Sequence, residues 1–247
     1  MNMNKTSTLR LNLLFVTLLT VTINASALEY TVTFLGTLPG QLTTRALAVN
    51  DLGHVCGFSG TKAFFWTPEN GMVELQPLPP RTDAIAYDLN NFDVVAGTSG
   101  IDFGGANANR AVRWDNGVVE DLGTLPGGSR SQGYGINDSG WVAGYGHYFQ
   151  AGSEYWRPVL YRDGIGMTIL DGVTGGYAYD ISNLGQVVGL TSGGGYTWTV
   201  AGGLNLLAAP AGWGSTRAGG ISKDGNWVSG SVLSASGNLI QFARWST

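Results

Sequence analysis

The sequence is poor in cysteine, in histidine and in charge, and each shortage excludes a class of protein. Cys56 is the only cysteine, so no disulfide framework can stabilise the fold. The two histidines, His54 and His147, cannot complete a three-histidine zinc site, and no H-E-x-x-H motif is present. We therefore predict neither a metal site nor a cofactor. Only 12% of the residues are charged, without the basic runs that nucleic-acid binding requires.

The N-terminus has the features of a secretory signal peptide. Lys5 and Arg10 precede an apolar run over residues 11–21, and Ala25-Ser26-Ala27 forms a small-residue cleavage site. The apolar run is shorter than the ~20 residues that a spanning helix needs. We predict cleavage near Ala27 and a secreted protein, extracellular or periplasmic, with no membrane span in the mature chain of residues 28–247. That chain keeps eleven basic against seventeen acidic residues, a net charge of −6.

Glycine is abundant, with 39 residues, and much of it belongs to an internal repeat. The repeated unit is an apolar strand, a turn of Asn, Asp or Ser with Gly, and a second apolar strand that ends in Gly. The five copies are AVNDLGHVCG (48–57), YDLNNFDVVAG (87–97), GINDSGWVAG (135–144), DISNLGQVVG (180–189) and GISKDGNWVSG (220–230). The closing glycines recur at intervals of 40, 47, 45 and 41 residues. Such a period, with about four short strands per unit, is typical of β-propeller blades.

We therefore predict an all-β fold, a five-bladed β-propeller with four-stranded blades in a single domain. The predicted blades cover residues 41–80, 81–127, 128–172, 173–210 and 211–247. The fifth copy stops after Trp245, before its fourth strand. Residues 29–40, EYTVTFLGTLPG, match residues 118–127, VVEDLGTLPG, which stand at the fourth-strand position. We therefore expect the N-terminal segment 28–40 to supply the last strand and close the ring, which would remove an exposed sheet edge.

The repeats resemble those of a bacterial extracellular family, the HAF-repeat proteins. The resemblance lies in LGTLPGG (122–128), INDSGWVAG (136–144) and KAFFW (62–66), and it covers nearly the whole mature chain. It implies an exported repeat protein of propeller-like fold and does not specify a biochemical activity. The histidine of the family motif is replaced by Lys62, Arg110, Arg157, Gly194 and Gln241 in the five copies.

Candidate binding residues lie in the irregular loops on one face of the predicted ring, because binding residues are commonly found on loops that a rigid scaffold positions. Two of these loops are long, at residues 98–109 and 145–156. Tyr and Trp side chains offer flat surfaces with one polar edge, which suits sugars. Lys62, Arg110 and Arg157 each stand four residues before the aromatic residue of the third strand, and could meet an acidic ligand. The candidates are His147, Tyr148, Tyr155, Trp156, Arg157, Arg110, Lys62, Trp213, Asp102 and Glu154.

Three functional hypotheses follow from these patterns. The first is a non-catalytic module that binds a carbohydrate or another extracellular surface component. The second is a glycoside hydrolase or lyase that uses Asp102 and Glu154, since glycosidases need two carboxylates that flank a cleft. The third is a structural surface protein that binds other proteins. No G-x-S-x-G elbow and no spacing that singles out a carboxylate pair favours catalysis, so we expect binding and assign no catalytic residue.

Overall fold

The computed structural model of the protein describes residues 31–100, 108–237 and 240–247. The chain divides into two units, Met1–Phe34 and Leu35–Thr247. In the first unit, residues 31–34 form neither helix nor strand, and the side chains of Val32 and Phe34 are exposed. In the second unit, the described residues form nineteen β-strands. None of the described residues belongs to a helix long and apolar enough to cross a membrane.

The strands form five separate antiparallel sheets in chain order. The first sheet contains β1 (Thr44–Val49), β2 (Val55–Ser59), β3 (Lys62–Thr67) and β4 (Gly71–Leu75). The second contains β5 (Ala84–Leu89), β6 (Val95–Ser99), β7 (Arg110–Asp115) and β8 (Val118–Asp121). The third contains β9 (Ser131–Ile136), β10 (Val142–Gln150), β11 (Ser153–Arg162) and β12 (Gly166–Ile169). The fourth contains β13 (Tyr177–Ile181), β14 (Val187–Thr191), β15 (Gly194–Thr199) and β16 (Gly203–Leu206). The last contains β17 (Trp213–Ile221), β18 (Trp227–Ser234) and β19 (Ile240–Ser246).

Each sheet is a simple meander in which every strand pairs with the next one along the chain. Each sheet contains one copy of the sequence repeat, and the turn residues of that copy join the first two strands of the sheet. At that turn Gly140 has a φ of +75°, and Asp93 takes the equivalent left-handed conformation in the second repeat, with a φ of +60°. The predicted all-β class is confirmed.

The repeated turn asparagine also links neighbouring sheets. The side-chain oxygen of Asn137 accepts the backbone N–H groups of Ser139 and Trp141, which fixes the turn. Its amide nitrogen donates to the carbonyl of Ser182, at the equivalent position of the next sheet, at 3.1 Å. Asn50 and Asn90 make the same donation to the next sheet, to the carbonyls of Asn90 and Asn137. One side chain therefore stabilises both a turn and a sheet-to-sheet contact.

The first strand of every sheet carries a β-bulge at the same position. A register shift with the second strand leaves one residue out of the pairing in each case. These bulged residues are Leu47, Tyr87, Tyr134, Tyr179 and Gly219. A bulge re-aims the side chain at that position and bends the strand. Contacts between Tyr87 and Tyr134, and between Tyr134 and Tyr179, show that the bulged residues of successive sheets meet.

The hydrophobic core lies between successive sheets. Four core clusters join the first sheet to the second, the second to the third, the third to the fourth and the fourth to the last. In each, an apolar residue near the end of the first strand packs against the preceding sheet, as Leu89 and Ile136 do. Among the described residues, no cluster contains members of both the first and the last sheet.

The outer faces of the first and last sheets are accordingly exposed. At the strand-end position, Leu89, Ile136, Ile181 and Ile221 are 1%, 0%, 0% and 7% exposed, whereas Val49 of the first sheet is 65% exposed. On the last sheet Phe242 is 97% exposed. Its counterparts on the other sheets are the small or compact residues Ala63, Ala111, Pro158 and Gly195. We call these two surfaces the first end face, around Val49, and the last end face, around Phe242.

The predicted closing strand is not observed over residues 31–40, and residues 28–30 lie outside the described part of the chain. The last sheet has three strands among the described residues, and residues 31–43 contain none. Residues 36–40 form a loop because Gly36 and Gly40 have positive φ values, +81° and +78°. A β-strand does not accommodate such values. The backbone N–H of buried Leu38 donates to Ser59 Oγ at 3.0 Å, which holds this loop on the first sheet.

Candidate functional site

A cavity of about 650 Å³ is surrounded mainly by aromatic side chains. Its walls come from the first strands of the second, third and fourth sheets, from β6 of the second sheet and from the long hairpin β10–β11. The lining residues are Ile85, Tyr87, Thr98, Gln132, Tyr134, Tyr145, Trp156, Tyr177 and Tyr179. We call this cavity the aromatic well. Its volume is within the usual range of small-molecule sites.

The rings of the aromatic well pack against one another in a continuous network. Tyr145 stands at its centre, with ring centroids 5.0 Å from Trp156 and 5.2 Å from Tyr177. Tyr177 stacks on Tyr179 at 5.8 Å with an interplanar angle of 11°. Such contacts fix ring orientation and contribute about 0.5–1.5 kcal/mol per pair. The rings are therefore positioned before any ligand enters.

Trp156 is held by a charged cluster. Glu154 Oε1 lies 2.5 Å from Arg130 Nη2 and 2.7 Å from His147 Nδ1. The His147 ring lies 3.7 Å from the Trp156 ring, and the Arg130 guanidinium lies 5.7 Å above the indole. The alternation of β10 and β11 places His147, Glu154 and Trp156 on one face of the hairpin, because His147 pairs with Trp156 and Phe149 with Glu154. The cluster fixes the indole plane.

The charge states of this cluster follow from its contacts. Hydrogen bonding from Arg130, and then from His147, holds the pKa of Glu154 below its ordinary value. Burial lowers the pKa of His147, because desolvation disfavours the imidazolium, while Glu154 acts in the opposite direction. At neutral pH the carboxylate of Glu154 is therefore ionised and paired with Arg130.

Four phenols of the aromatic well are held in the neutral form by burial. Burial is the main cause that raises the pKa of Tyr145, to about 12, and it also raises the pKa values of Tyr87, Tyr134 and Tyr179. The hydroxyl of Tyr134 donates to Gln132 Oε1 at 2.9 Å. Thr98 Oγ1 is buried and has no hydrogen-bond partner among the described residues. The well thus combines apolar ring faces with neutral hydroxyl and amide groups.

The structure separates the predicted candidates into groups. Trp156 lines the aromatic well, and His147 and Glu154 support it from behind. Tyr148, Tyr155 and Arg157 occupy the opposite face of the hairpin. There the Tyr148 ring lies 5.5 Å from Tyr155, and Arg157 Nη2 donates to Tyr148 Oη at 3.3 Å.

Three further candidates, Lys62, Arg110 and Trp213, do not line the aromatic well. Lys62 forms an ion pair with Glu74 at 2.8 Å. Arg110 begins β7, and its Nε atom is buried without a hydrogen-bond partner in the described part of the chain. Trp213 begins β17 of the last sheet. Asp102 lies outside the described residues.

Sequence reasoning missed the tyrosines of the aromatic well. Tyr87, Tyr134 and Tyr179 stand at the bulge position of three successive repeats, and Tyr177 stands two residues before Tyr179. The recurrence of Tyr at one repeat position was a usable signal. A bulge, however, reverses the alternation that assigns residues to a face, so the inward direction of these rings does not follow from a strand pattern.

No group of three or more His, Cys, Asp or Glu side chains among the described residues could hold a metal ion. Cys56 is buried at the contact with the second sheet, and burial raises its pKa well above the ordinary value. The thiol is therefore protonated at neutral pH and acts as a small apolar side chain there.

Comparison with known proteins supports the fold and leaves the activity open. No protein-family model matches the chain, and no curated protein sequence is significantly similar. A putative TolB from Agrobacterium tumefaciens is similar in structure with a TM-score of 0.59 and 12% identity, over 86% of this chain and 79% of that one. A gluconolactonase from Xanthomonas campestris matches with a TM-score of 0.48 and 12% identity, over 81% and 71%. The likeness to TolB, a β-propeller, shows that the five sheets have a β-propeller type of fold.

Proposed function

We propose that this protein is an exported, non-catalytic β-propeller that binds carbohydrate in the aromatic well. The observation that carries the proposal is the wall of six aromatic rings around a cavity of about 650 Å³. Among the described residues that line this cavity, the tyrosine phenols are the only ionisable groups. The apolar faces of a sugar ring can stack on Tyr and Trp rings, whose polar edges accept and donate hydrogen bonds. Neutral phenols suit a neutral polyol.

One buried hydroxyl strengthens the proposal. Thr98 is 1% exposed and lines the aromatic well, and its Oγ1 has no hydrogen-bond partner within the described residues. An unpaired buried polar atom costs free energy, and such atoms are uncommon without a functional reason. A sugar hydroxyl in the well would satisfy it.

The state of Glu154 favours binding over hydrolysis. A glycosidase acid requires a raised pKa so that it carries a proton at working pH. The pKa of Glu154 is instead lowered by hydrogen bonding from Arg130. Glu154 also belongs to the charged cluster that supports Trp156, and it does not line the aromatic well. We assign it a positioning role for the indole.

Export and family membership are part of the same proposal. The signal-peptide pattern of residues 1–27 and the HAF-like motifs support an extracellular or periplasmic protein, where sugars of the cell surface are available. We infer that the repeats provide the scaffold and that the aromatic well provides the ligand specificity.

A glycan array followed by calorimetry tests the proposal. The mature protein should retain glycans on the array, and Trp156→Ala should weaken the best one by at least about tenfold, ~1.4 kcal/mol, through loss of the stacking surface. Trp156→Phe should recover part of that loss. Thr98→Val, which keeps the side-chain shape, should weaken binding several-fold without lowering the melting temperature.

The matched control is Trp227→Ala. Trp227 is a partly exposed tryptophan that stacks under Arg244 on the last sheet and does not line the aromatic well. Its loss should leave glycan affinity unchanged. If no glycan binds, or if Trp156→Ala and Trp227→Ala behave alike, the proposed function is wrong.

A further inference from the structure

The aromatic well continues into two further cavities. A cavity of about 350 Å³ shares Tyr87, Tyr134 and Tyr179 with the well and adds Gly219 of the last sheet. Another of about 490 Å³ shares Tyr179 and Gly219 with this middle cavity and extends to Phe242. Neighbouring cavities thus share wall residues all the way from Trp156 to Phe242, and we call this series of three cavities the groove.

The groove is continuous because Gly219 has no side chain. At the same bulge position the other sheets have Leu47, Tyr87, Tyr134 and Tyr179. A Cβ atom on Gly219 would contact only Ser229 O, at 3.9 Å, and the glycine does not have a left-handed backbone. Neither packing nor backbone conformation therefore requires glycine here. Its absence of a side chain leaves the passage open.

The far end of the groove has different chemistry from the aromatic well. Phe242 is almost fully exposed there, and Arg217 lines the same cavity. No carboxylate among the described residues forms an ion pair with Arg217. An exposed ring next to a cation suits a sugar that carries an acidic group.

The last end face is shaped for this role. In the fourth sheet Gly195 takes the position of Phe242, and a Cβ atom there would come within 2.7 Å of Ala218 N on the following sheet. A small residue at this position therefore permits sheet-to-sheet packing. The large side chain of Phe242 does not permit such packing on the last sheet. The described residues of the first and last sheets accordingly share no core cluster. The ring of Phe242 remains available to a ligand.

We propose that the groove binds an extended oligosaccharide chain, with one part stacked at Trp156 and an acidic sugar unit at Phe242 and Arg217. This inference rests on the proposed function and adds the form and charge of the ligand. The oligosaccharide passes over Tyr134 and Tyr179 and reaches the last sheet at Gly219. Affinity then depends on chain length, because a short sugar fills only the aromatic well.

Calorimetry with two oligosaccharide series tests the inference. The probes are di- to hexasaccharides of β-1,4-linked glucose and of α-1,4-linked galacturonic acid. The wild-type protein should bind hexasaccharides at least about tenfold more tightly than disaccharides, with a preference for the acidic series. Gly219→Tyr should remove the gain with length while leaving disaccharide affinity unchanged. Arg217→Gln should remove the preference for the acidic series alone.

Leu47→Tyr is the matched control, since it places the same side chain at the same bulge position outside the groove. It should alter neither affinity nor length dependence. A length gain that survives Gly219→Tyr, or Trp156-dependent disaccharide binding without any gain, overturns the extended groove and leaves the proposed function intact. Absence of binding in both series overturns the extended groove, and it overturns the proposed function as well if no glycan binds on the array. Self-association that Phe242→Ala abolishes would instead assign the last end face to a second copy.

Discussion

At the scale of single residues, Asp180 is the carboxylate whose environment has the clearest effect on stability. It follows the bulged Tyr179, and its two oxygens accept the backbone N–H groups of Ile181 and Ile221. Burial, and then the carboxylate of Asp88, raise its pKa to about 6, while Lys223 acts in the opposite direction. Lys223 extends from the last sheet to Asp88 Oδ2 at 3.2 Å and to the carbonyl of Ile136 at 2.8 Å.

The sign of the resulting pH dependence follows from linkage. Because the folded pKa of Asp180 lies above the unfolded value, the folded state binds more protons between about pH 4 and pH 6. This group should therefore lower the free energy of unfolding as the pH rises through that window, by about 2 kcal/mol. Asp180→Asn should remove this part of the profile. Urea unfolding at pH 4.5 and pH 7 measures it, and identical pH differences in the two proteins would contradict the assignment.

At the scale of structural elements, the turn asparagine performs two functions that can be separated by mutation. Asn137→Ala should lower the free energy of unfolding by about 2–4 kcal/mol, because it leaves buried backbone groups of the turn and the carbonyl of Ser182 unpaired. Asn137→Ser should cost about half as much. A serine can still accept in the turn, as Ser182 and Ser222 do at this position, but cannot donate to the next sheet.

Denaturant titration of both variants measures the two costs. Equal costs for Asn137→Ala and Asn137→Ser would show that the link to the next sheet contributes nothing. Serine already stands at this position in two repeats, as Ser182 and Ser222, so the serine variant should fold.

The elements also show what the sequence could and could not predict. The five turns were predictable because Asn, Asp and Gly have local conformational preferences. Trp156 was predictable as a candidate residue because it stands in the long segment 145–156 between the second and third strands of its repeat. The sheet-to-sheet bond of Asn137 was not, since it depends on a contact 45 residues away. The inward rings of Tyr87 and Tyr179 depend on bulges, which a period-two pattern does not show.

At the scale of the five-sheet unit, the two end faces decide how the series of sheets ends. A closed ring would bury Val49 as Ile136 is buried, because the two occupy equivalent positions. The structure instead leaves Val49 exposed. Residues 31–40, which the sequence analysis assigns to the closing strand, form no strand. The loop of residues 36–40 is still a true copy of residues 123–127, since Gly123 and Gly127 have φ values of +76° and +74°.

Paired substitutions test the open arrangement. Ile136→Ala should lower the free energy of unfolding by about 2–5 kcal/mol, because it creates a cavity between the second and third sheets. Val49→Ala should cost less than about 1 kcal/mol, since the side chain has no neighbouring sheet to lose. A cost for Val49→Ala close to that of Ile136→Ala would mean that another surface covers the first end face in solution. If that surface were the last end face, Phe242 would be covered as well, and the length dependence expected for oligosaccharides would be lost.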